Sequence, residues 1–204
     1  MRKPKLRELA EAVRAVLHGP CTYAFPKAPS PAPAAYRGKG RFNEAECIGC
    51  GACAEVCPAH AIEVQDRAGG TPPLRTIIRH DDRCVFCGQC QDLCTTGKGI
   101  ECTNEYDLAT FNRATCAVSV QKELVLCEKC GAVLTTREHL RWLAQRLGSR
   151  RYANPTLILI ADKELGLLRH ESPRPPEEPA GRADLLRILC VACRREVLIR
   201  EMWG

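Results

Sequence analysis

Cys47-Ile48-Gly49-Cys50-Gly51-Ala52-Cys53-Ala54-Glu55-Val56-Cys57-Pro58 and Cys84-Val85-Phe86-Cys87-Gly88-Gln89-Cys90-Gln91-Asp92-Leu93-Cys94 are two copies of one pattern. Each sets four cysteines at the spacing C-x2-C-x2-C-x3-C. Three thiolates this close in sequence wrap one face of a metal centre, and the fourth points away from it. A pair of mononuclear zinc sites would use the C-x2-C pairs but leaves the third and fourth cysteines of each run without a role.

The tandem spacing predicts two [4Fe–4S] clusters of the bacterial type, in which the fourth cysteine of each run ligates the other cluster. Cys47, Cys50, Cys53 and Cys94 are assigned to cluster 1, and Cys84, Cys87, Cys90 and Cys57 to cluster 2. Gly49, Gly51 and Gly88 let the backbone turn close to the cluster sulfurs, where amides tune the potential. The flanks repeat as well. Arg41-Phe42-Asn43-Glu44-Ala45-Glu46 leads into the first run and Ile77-Ile78-Arg79-His80-Asp81-Asp82-Arg83 into the second; Ala61-Ile62-Glu63-Val64 and Gly99-Ile100-Glu101-Cys102 follow them. Each half should give a strand, a cluster loop with a helical turn, and a second strand, and the two halves a small α+β fold with a pseudo-twofold. After Cys94 the halves part: Thr95-Thr96-Gly97-Lys98-Gly99 lacks the proline and carries an extra residue, which predicts a local loop adjustment beside cluster 1. Cys102 and Cys116 are expected to be packing residues, and Cys21 a spare thiol.

The chain has 204 residues, 15 of them cysteine, and a formal charge of +6. No long apolar run reads as a signal peptide or a membrane span, so the cysteines read as metal ligands in a reducing compartment. Each four-thiolate centre carries about −2 when loaded, so three of them bring the protein near neutrality and remove the charge argument for a nucleic-acid binder. No phosphate-binding glycine motif opens a βαβ unit and no nucleophile–base arrangement stands out. His18, His60, His80, His139 and His170 are scattered. The pattern predicts no catalytic residue.

Residues 5–18 have an apolar stripe, Leu6, Leu9, Ala10, Val13, Val16 and Leu17, ended by Gly19-Pro20. With no domain before it and a proline-rich stretch after it, this helix is expected to dock on a partner or a membrane surface. Residues 20–40 form an extended arm whose Tyr23, Phe25 and Tyr36 are expected to lie on a surface. Residues 66–76 are a Gly/Pro-rich connection between the two halves.

Residues 122–204 form a further unit. Glu123 to Leu134 reads as strand, C-x2-C-G knuckle (Cys127, Cys130) and strand, and Arg187 to Ile199 repeats that plan around Cys190 and Cys193. Two facing knuckles make a four-cysteine tetrahedral site, for zinc or, as the alternative, iron. The long insertion between the pairs should hold a helix capped by Thr135 and Glu138 with the stripe Leu140, Leu143, Ala144 and Leu147, a buried strand at 156–161, and a Pro/Glu/Arg-rich loop at 172–182.

The architecture expected is thus α+β: residues 1–40 an amphipathic helix and docking arm, 41–115 a two-cluster ferredoxin domain, and 122–204 a zinc-ribbon-like domain with a helical insertion. Tyr23-Ala24-Phe25-Pro26, Tyr36-Arg37-Gly38, the two runs and Ile100-Glu101-Cys102-Thr103-Asn104-Glu105-Tyr106-Asp107-Leu108-Ala109 resemble the two-cluster ferredoxin-type subunit of complex I and of the related membrane-bound hydrogenases and formate hydrogenlyases. The resemblance covers about residues 1–115. It implies a non-catalytic electron-transfer subunit, with both clusters in series. It also implies a place between a cluster-bearing small subunit, a catalytic large subunit and a membrane-arm subunit, on the inner face of the cell membrane, with no nucleic acid. The cysteine-rich C-terminal unit is more similar to the hydrogenase-type relatives; the equivalent complex I subunit and a free soluble ferredoxin are the alternatives.

Overall fold

The computed structural model describes residues 5–19, 22–168 and 182–203. The chain divides into two compact units, Met1–Tyr36 and Arg37–Gly204.

In the first unit, α1 (Leu6–His18) forms where the apolar stripe predicts it and stops at Gly19, whose φ of 71° leaves the helical region. Leu6, Leu9, Val13, Val16 and Leu17 are each more than half exposed, and Tyr23, Phe25 and Tyr36 of the arm are exposed as well. Among the described residues no helix is long and apolar enough to cross a membrane. Cys21 lies outside the described residues.

The second unit opens with the repeated plan. The first half runs β1 (Gly40–Phe42), α2 (Ala52–Glu55) and β2 (Ile62–Arg67); the second runs β3 (Leu74–His80), α3 (Gln89–Asp92) and β4 (Ile100–Cys102). The strands pair across the halves: β1 with β4, setting Phe42 opposite Ile100, and β2 with β3, setting Val64 opposite Ile77, both antiparallel. Ile62, Ile77, Ile100, Val120 and Cys47 are buried together at the centre, with Phe42, Cys53, Cys57, Cys90 and Cys94 packed on them.

β3 continues outward to β5 (Ala117–Leu126), with Ile77 opposite Val120, and β5 to β6 (Val133–Thr136), giving a four-stranded sheet in the order β2-β3-β5-β6. Residues 41–115 and 122–204 both fall in the second unit and share this sheet. After β6 comes α4 (Arg137–Leu147), and its cap sits one residue later than the expected Thr135: Thr136 is extended and its hydroxyl accepts from the His139 amide at 3.3 Å. Thr135 pairs with His139 Nδ1 instead, at 2.8 Å. Thr136 is fully buried, and its hydroxyl donates to the carbonyl of Ile48 in the first cysteine loop.

Two expectations are corrected. Residues 156–161 are not a strand but lie in α5 (Pro155–Glu164). Asn154 accepts from the amides of Thr156 and Leu157 at 3.0 and 3.3 Å, and Pro155 takes the first helical position, so Asn-Pro starts a helix whose Leu157, Leu159 and Ile160 are buried. The second knuckle is not strand–turn–strand either: α6 (Val191–Trp203) follows Cys190 directly, so Cys193 stands in the first turn of a helix. Leu140, Leu157, Leu159, Ile160 and Ile188 form the core beneath α4 and α5. Apart from residue 182, the Pro/Glu/Arg-rich loop at 172–182 lies outside the described residues.

Thr136→Val removes both the α4 cap and the buried hydrogen bond to Ile48. Denaturant unfolding of the anaerobically purified protein should show a loss of about 1–3 kcal/mol, with Thr136→Ser staying close to native.

Candidate metal centres

The structure brings the cysteines of the two runs into two cavities, three from one run and one from the other. One cavity is walled by Cys47, Cys50, Cys53 and Cys94, together with Phe42, Ile48, Ile77 and Ile100. The other is walled by Cys84, Cys87, Cys90 and Cys57, with Ala61, Ile62, Arg79 and Phe86. The loops reach this arrangement through glycine: Gly51 and Gly88 stand before α2 and α3 with φ of 82°, a conformation that costs a residue with a Cβ. Each helical turn then carries the third cysteine inward, and the chain leaving it delivers the fourth across to the other cavity.

Arginines hold both loops from behind. Arg75 Nη1 donates to the Gly49 carbonyl at 3.0 Å while its other nitrogens grip Asp66 at 2.8 Å. Arg37 Nη1 donates to the Cys87 carbonyl at 2.5 Å. Lys122 of β5 adds a bond to the Glu44 carbonyl at 2.6 Å.

Polar groups reach the sulfurs. The Ala61 amide donates to Cys57 Sγ and the Phe86 amide to Cys84 Sγ, each at 3.3 Å. The irregular loop after Cys94 lies beside the first cavity, as its sequence predicts: Thr95 Oγ1 is 3.2 Å from Cys50 Sγ and Thr96 Oγ1 is 3.5 Å from Cys94 Sγ. Arg79, which the sequence reading passed over, is 1% exposed and donates from Nη2 to Cys84 Sγ at 3.2 Å. Comparing the two flanks residue by residue would have found it, since Phe42 holds the matching position in the first half. Cys102 is half-buried on the wall of the second cavity, its amide donating to Gln91 Oε1 at 2.6 Å. Cys116 is half-buried too, and its carbonyl accepts from the Asp81 amide at 2.7 Å.

Burial pushes the Cys53 thiol up to about 12, helped by the neighbouring sulfurs of Cys47 and Cys50, and pushes Cys90 up to about 11. Cys94 is lowered: burial works against its thiolate, but the Thr96 hydroxyl and the loop amides outweigh it. Cys53 and Cys90, crowded by other sulfurs in apolar cavities, hold their protons unless a cationic centre compensates them. That donor set, soft sulfur with amides aimed at it, fits an iron–sulfur cluster.

The third group is mononuclear in scale. The sulfurs of Cys127, Cys130, Cys190 and Cys193 all lie within 4.8 Å of one another, and those of Cys130 and Cys190 are 3.7 Å apart. Four thiolates at about 2.3 Å from one ion have sulfurs roughly 3.8 Å apart, so the geometry fits a tetrahedral ion. Cys127 and Cys130 come from the turn between β5 and β6, where the Cys127 amide donates to Ala132 O and the Gly131 amide to Cys127 O. Cys190 and Cys193 come from the start of α6. The two pairs are fastened together by Glu128, whose amide donates to Ile188 O and whose carboxylate accepts from the Ile188 amide, both at 2.8 Å, and which pairs with the buried Lys163. Lys129 adds an ion pair to Glu196 on α6 at 2.7 Å. Burial raises the Cys127 thiol, but the amides of Cys130, Cys190 and Lys129 outweigh it and bring it down to about 7. Burial and the other three thiols push Cys193 up.

Comparison with known proteins places this geometry. The 4Fe-4S dicluster domain family matches residues 46–98, the stretch that holds both runs. Formate hydrogenlyase subunit 6 of Escherichia coli is 29% identical over 123 residues, covering 60% of this chain and 66% of that protein. A chain in the solved structure of the membrane-bound sulfane sulfur reductase, described as an archaeal respiratory membrane complex, is 28% identical; 57% of this chain and 61% of that one are covered, at a TM-score of 0.38. NADH-quinone oxidoreductase subunit I 2 of Geobacter metallireducens is 30% identical over 119 residues, which cover 54% of this chain and 88% of that protein. The chain belongs to the family of NADH-quinone oxidoreductase subunit I.

Proposed function

We propose that this chain is the electron-transfer subunit of a complex I-like, membrane-associated oxidoreductase. It carries no reaction of its own, and its partners are the other subunits of that complex. The observation that supports this most directly is the pair of four-cysteine cavities inside a subunit I-type chain. When bound, a [4Fe–4S] cluster in each cavity takes up and releases one electron at a time. The residues of the chain do the rest. Cys47, Cys50, Cys53 and Cys94 hold the first cluster, and Cys84, Cys87, Cys90 and Cys57 the second. The aliphatic walls keep water from the sulfurs, and the amides and threonine hydroxyls set the charge each sulfur carries. Cys127, Cys130, Cys190 and Cys193 hold a structural ion, zinc by donor type, that closes the C-terminal segment.

Among complexes of this kind, an energy-converting hydrogenase or formate hydrogenlyase type is the reading we favour. The similarity to formate hydrogenlyase subunit 6 and the four-cysteine site beyond the cluster core support it. The exposed stripe of α1 is the docking face on this reading, because a 13-residue helix is marginal alone in water.

The crossover of ligands is tested by EPR of the reduced single variants. Cys57→Ala should damage the signal of the cluster held by Cys84, Cys87 and Cys90, and Cys94→Ala that of the other; loss of the sequence-local cluster in each case would refute the pairing. Docking is tested by deleting residues 1–36. Both cluster signals should stay near native while the subunit leaves the membrane fraction and electron flow stops. A truncated chain that still sediments with membranes at full activity would return the free soluble ferredoxin as the better reading.

A further inference from the structure

The two halves of the cluster core share one plan and differ at one wall position. Five residues before the first cysteine of its run stands Phe42 in the first half and Arg79 in the second, and each lines the cavity of its own half. An aromatic ring is thus replaced by a guanidinium at the same structural position.

The surroundings of Arg79 are built for a buried cation. Gly40 of β1 makes room for it: a Cβ there would lie 1.4 Å from Arg79 Nη1. The Phe86 ring centroid is 5.9 Å from its central carbon, within cation–π range. Asp81, itself buried, brings Oδ1 to 3.4 Å from Nη2, yet neither Asp81 oxygen has a hydrogen-bond partner among the described residues. The same Nη2 does donate to Cys84 Sγ at 3.2 Å. Arg79 Nε and Nη1 are buried without a hydrogen-bond partner among the described residues. A desolvated guanidinium is costly unless negative charge faces it. One carboxylate at 3.4 Å compensates part of that, and the thiolates of the second cavity supply the remainder.

We propose that Arg79 is a positioning residue for charge, a fixed cation that raises the reduction potential of the cluster held by Cys57, Cys84, Cys87 and Cys90. This rests on the ligand reading above. Reduction adds one electron and makes or breaks no bond; the added negative charge meets a cation and an N–H donor already in place, so the reduced form gains more than the oxidised form. Phe42 offers the first cavity no such charge. Arg75 and Lys122, the cations at the first loop, donate to the carbonyls of Gly49 and Glu44, whereas Arg79 donates to a sulfur itself, so the second cluster is the one at which an electron is held longer than its ligand set alone would give.

The test is an EPR-monitored redox titration of the anaerobic, cluster-loaded protein, poised with dithionite and mediator dyes, with iron counted in every sample. Native protein is compared with Arg79→Met, Arg79→Gln and Arg79→Lys. At the ambient potential that half-reduces the native second cluster, Arg79→Met and Arg79→Gln should lower its reduced-to-oxidised ratio at least about tenfold, which is about 59 mV for a one-electron couple. Arg79→Lys, which keeps the charge, should stay within about threefold of native, and the first cluster should not move in any variant. Arg79→Gln keeps a donor beside Cys84 and a partner for Asp81, so it reads the charge even if Arg79→Met fails to assemble. An unchanged ratio in Arg79→Gln, or equal shifts of both clusters, overturns the proposal. So does loss of the second cluster from all three variants, which would make Arg79 a building residue only. A native protein with a single cluster signal would instead defeat the ligand reading itself, and the native sample shows that before any variant is compared.

Discussion

Each cluster cavity borrows one wall from the other half of the repeat, and the rest of the core follows from that exchange. Cys57 leaves the first run to line the second cavity, and Cys94 leaves the second run to line the first. The strands repeat the exchange, β1 pairing with β4 and β2 with β3. Neither half can then bury its isoleucines or complete its sulfur set alone. For a chain with only 5% aromatic residues this matters, because ligation supplies cohesion that a small aliphatic core does not.

The segment after the repeat is coupled to that core through one strand and one hydroxyl. β5 carries the sheet outward from β3, and Thr136 at the end of β6 both caps α4 and donates to Ile48 in the first cysteine loop. The first loop is therefore held by Arg75, Lys122 and Thr136, two of which come from beyond the repeat. The second loop is held by Arg37, close to the junction with the arm. The first loop is thus tied to the segment beyond the repeat, and the second to the residue that follows the arm.

The sequence was most legible where covalent chemistry dictates spacing. The eight cysteines of the repeat, the flanking strands Gly40–Phe42 and Ile100–Cys102, and the knuckle at Cys127 and Cys130 all follow from ligand spacing or from the matched flanks of the two runs. It was least legible where a short apolar run could serve either element. Leu157-Ile158-Leu159-Ile160 has strand composition, and only Asn154-Pro155 before it marks a helix start. Cys190-Val191-Ala192-Cys193 resembles the first knuckle, but no glycine follows Cys193 as Gly131 follows Cys130, so the chain is free to continue as α6. Arg79 escaped notice because a lone arginine in a strand ordinarily reads as an exposed residue; its burial depends on Gly40 and Asp81, and the contact with Gly40 is made only in the folded chain.

The most direct test of the whole account is the metal and sulfide content of the anaerobically purified protein. Two four-cysteine cluster cavities and one tetrahedral four-cysteine site predict about eight irons, about eight acid-labile sulfides and about one zinc per chain. About four irons and four sulfides would mean that one of the two cavities does not hold a cluster, and the reading of this chain as a two-cluster relay would be contradicted.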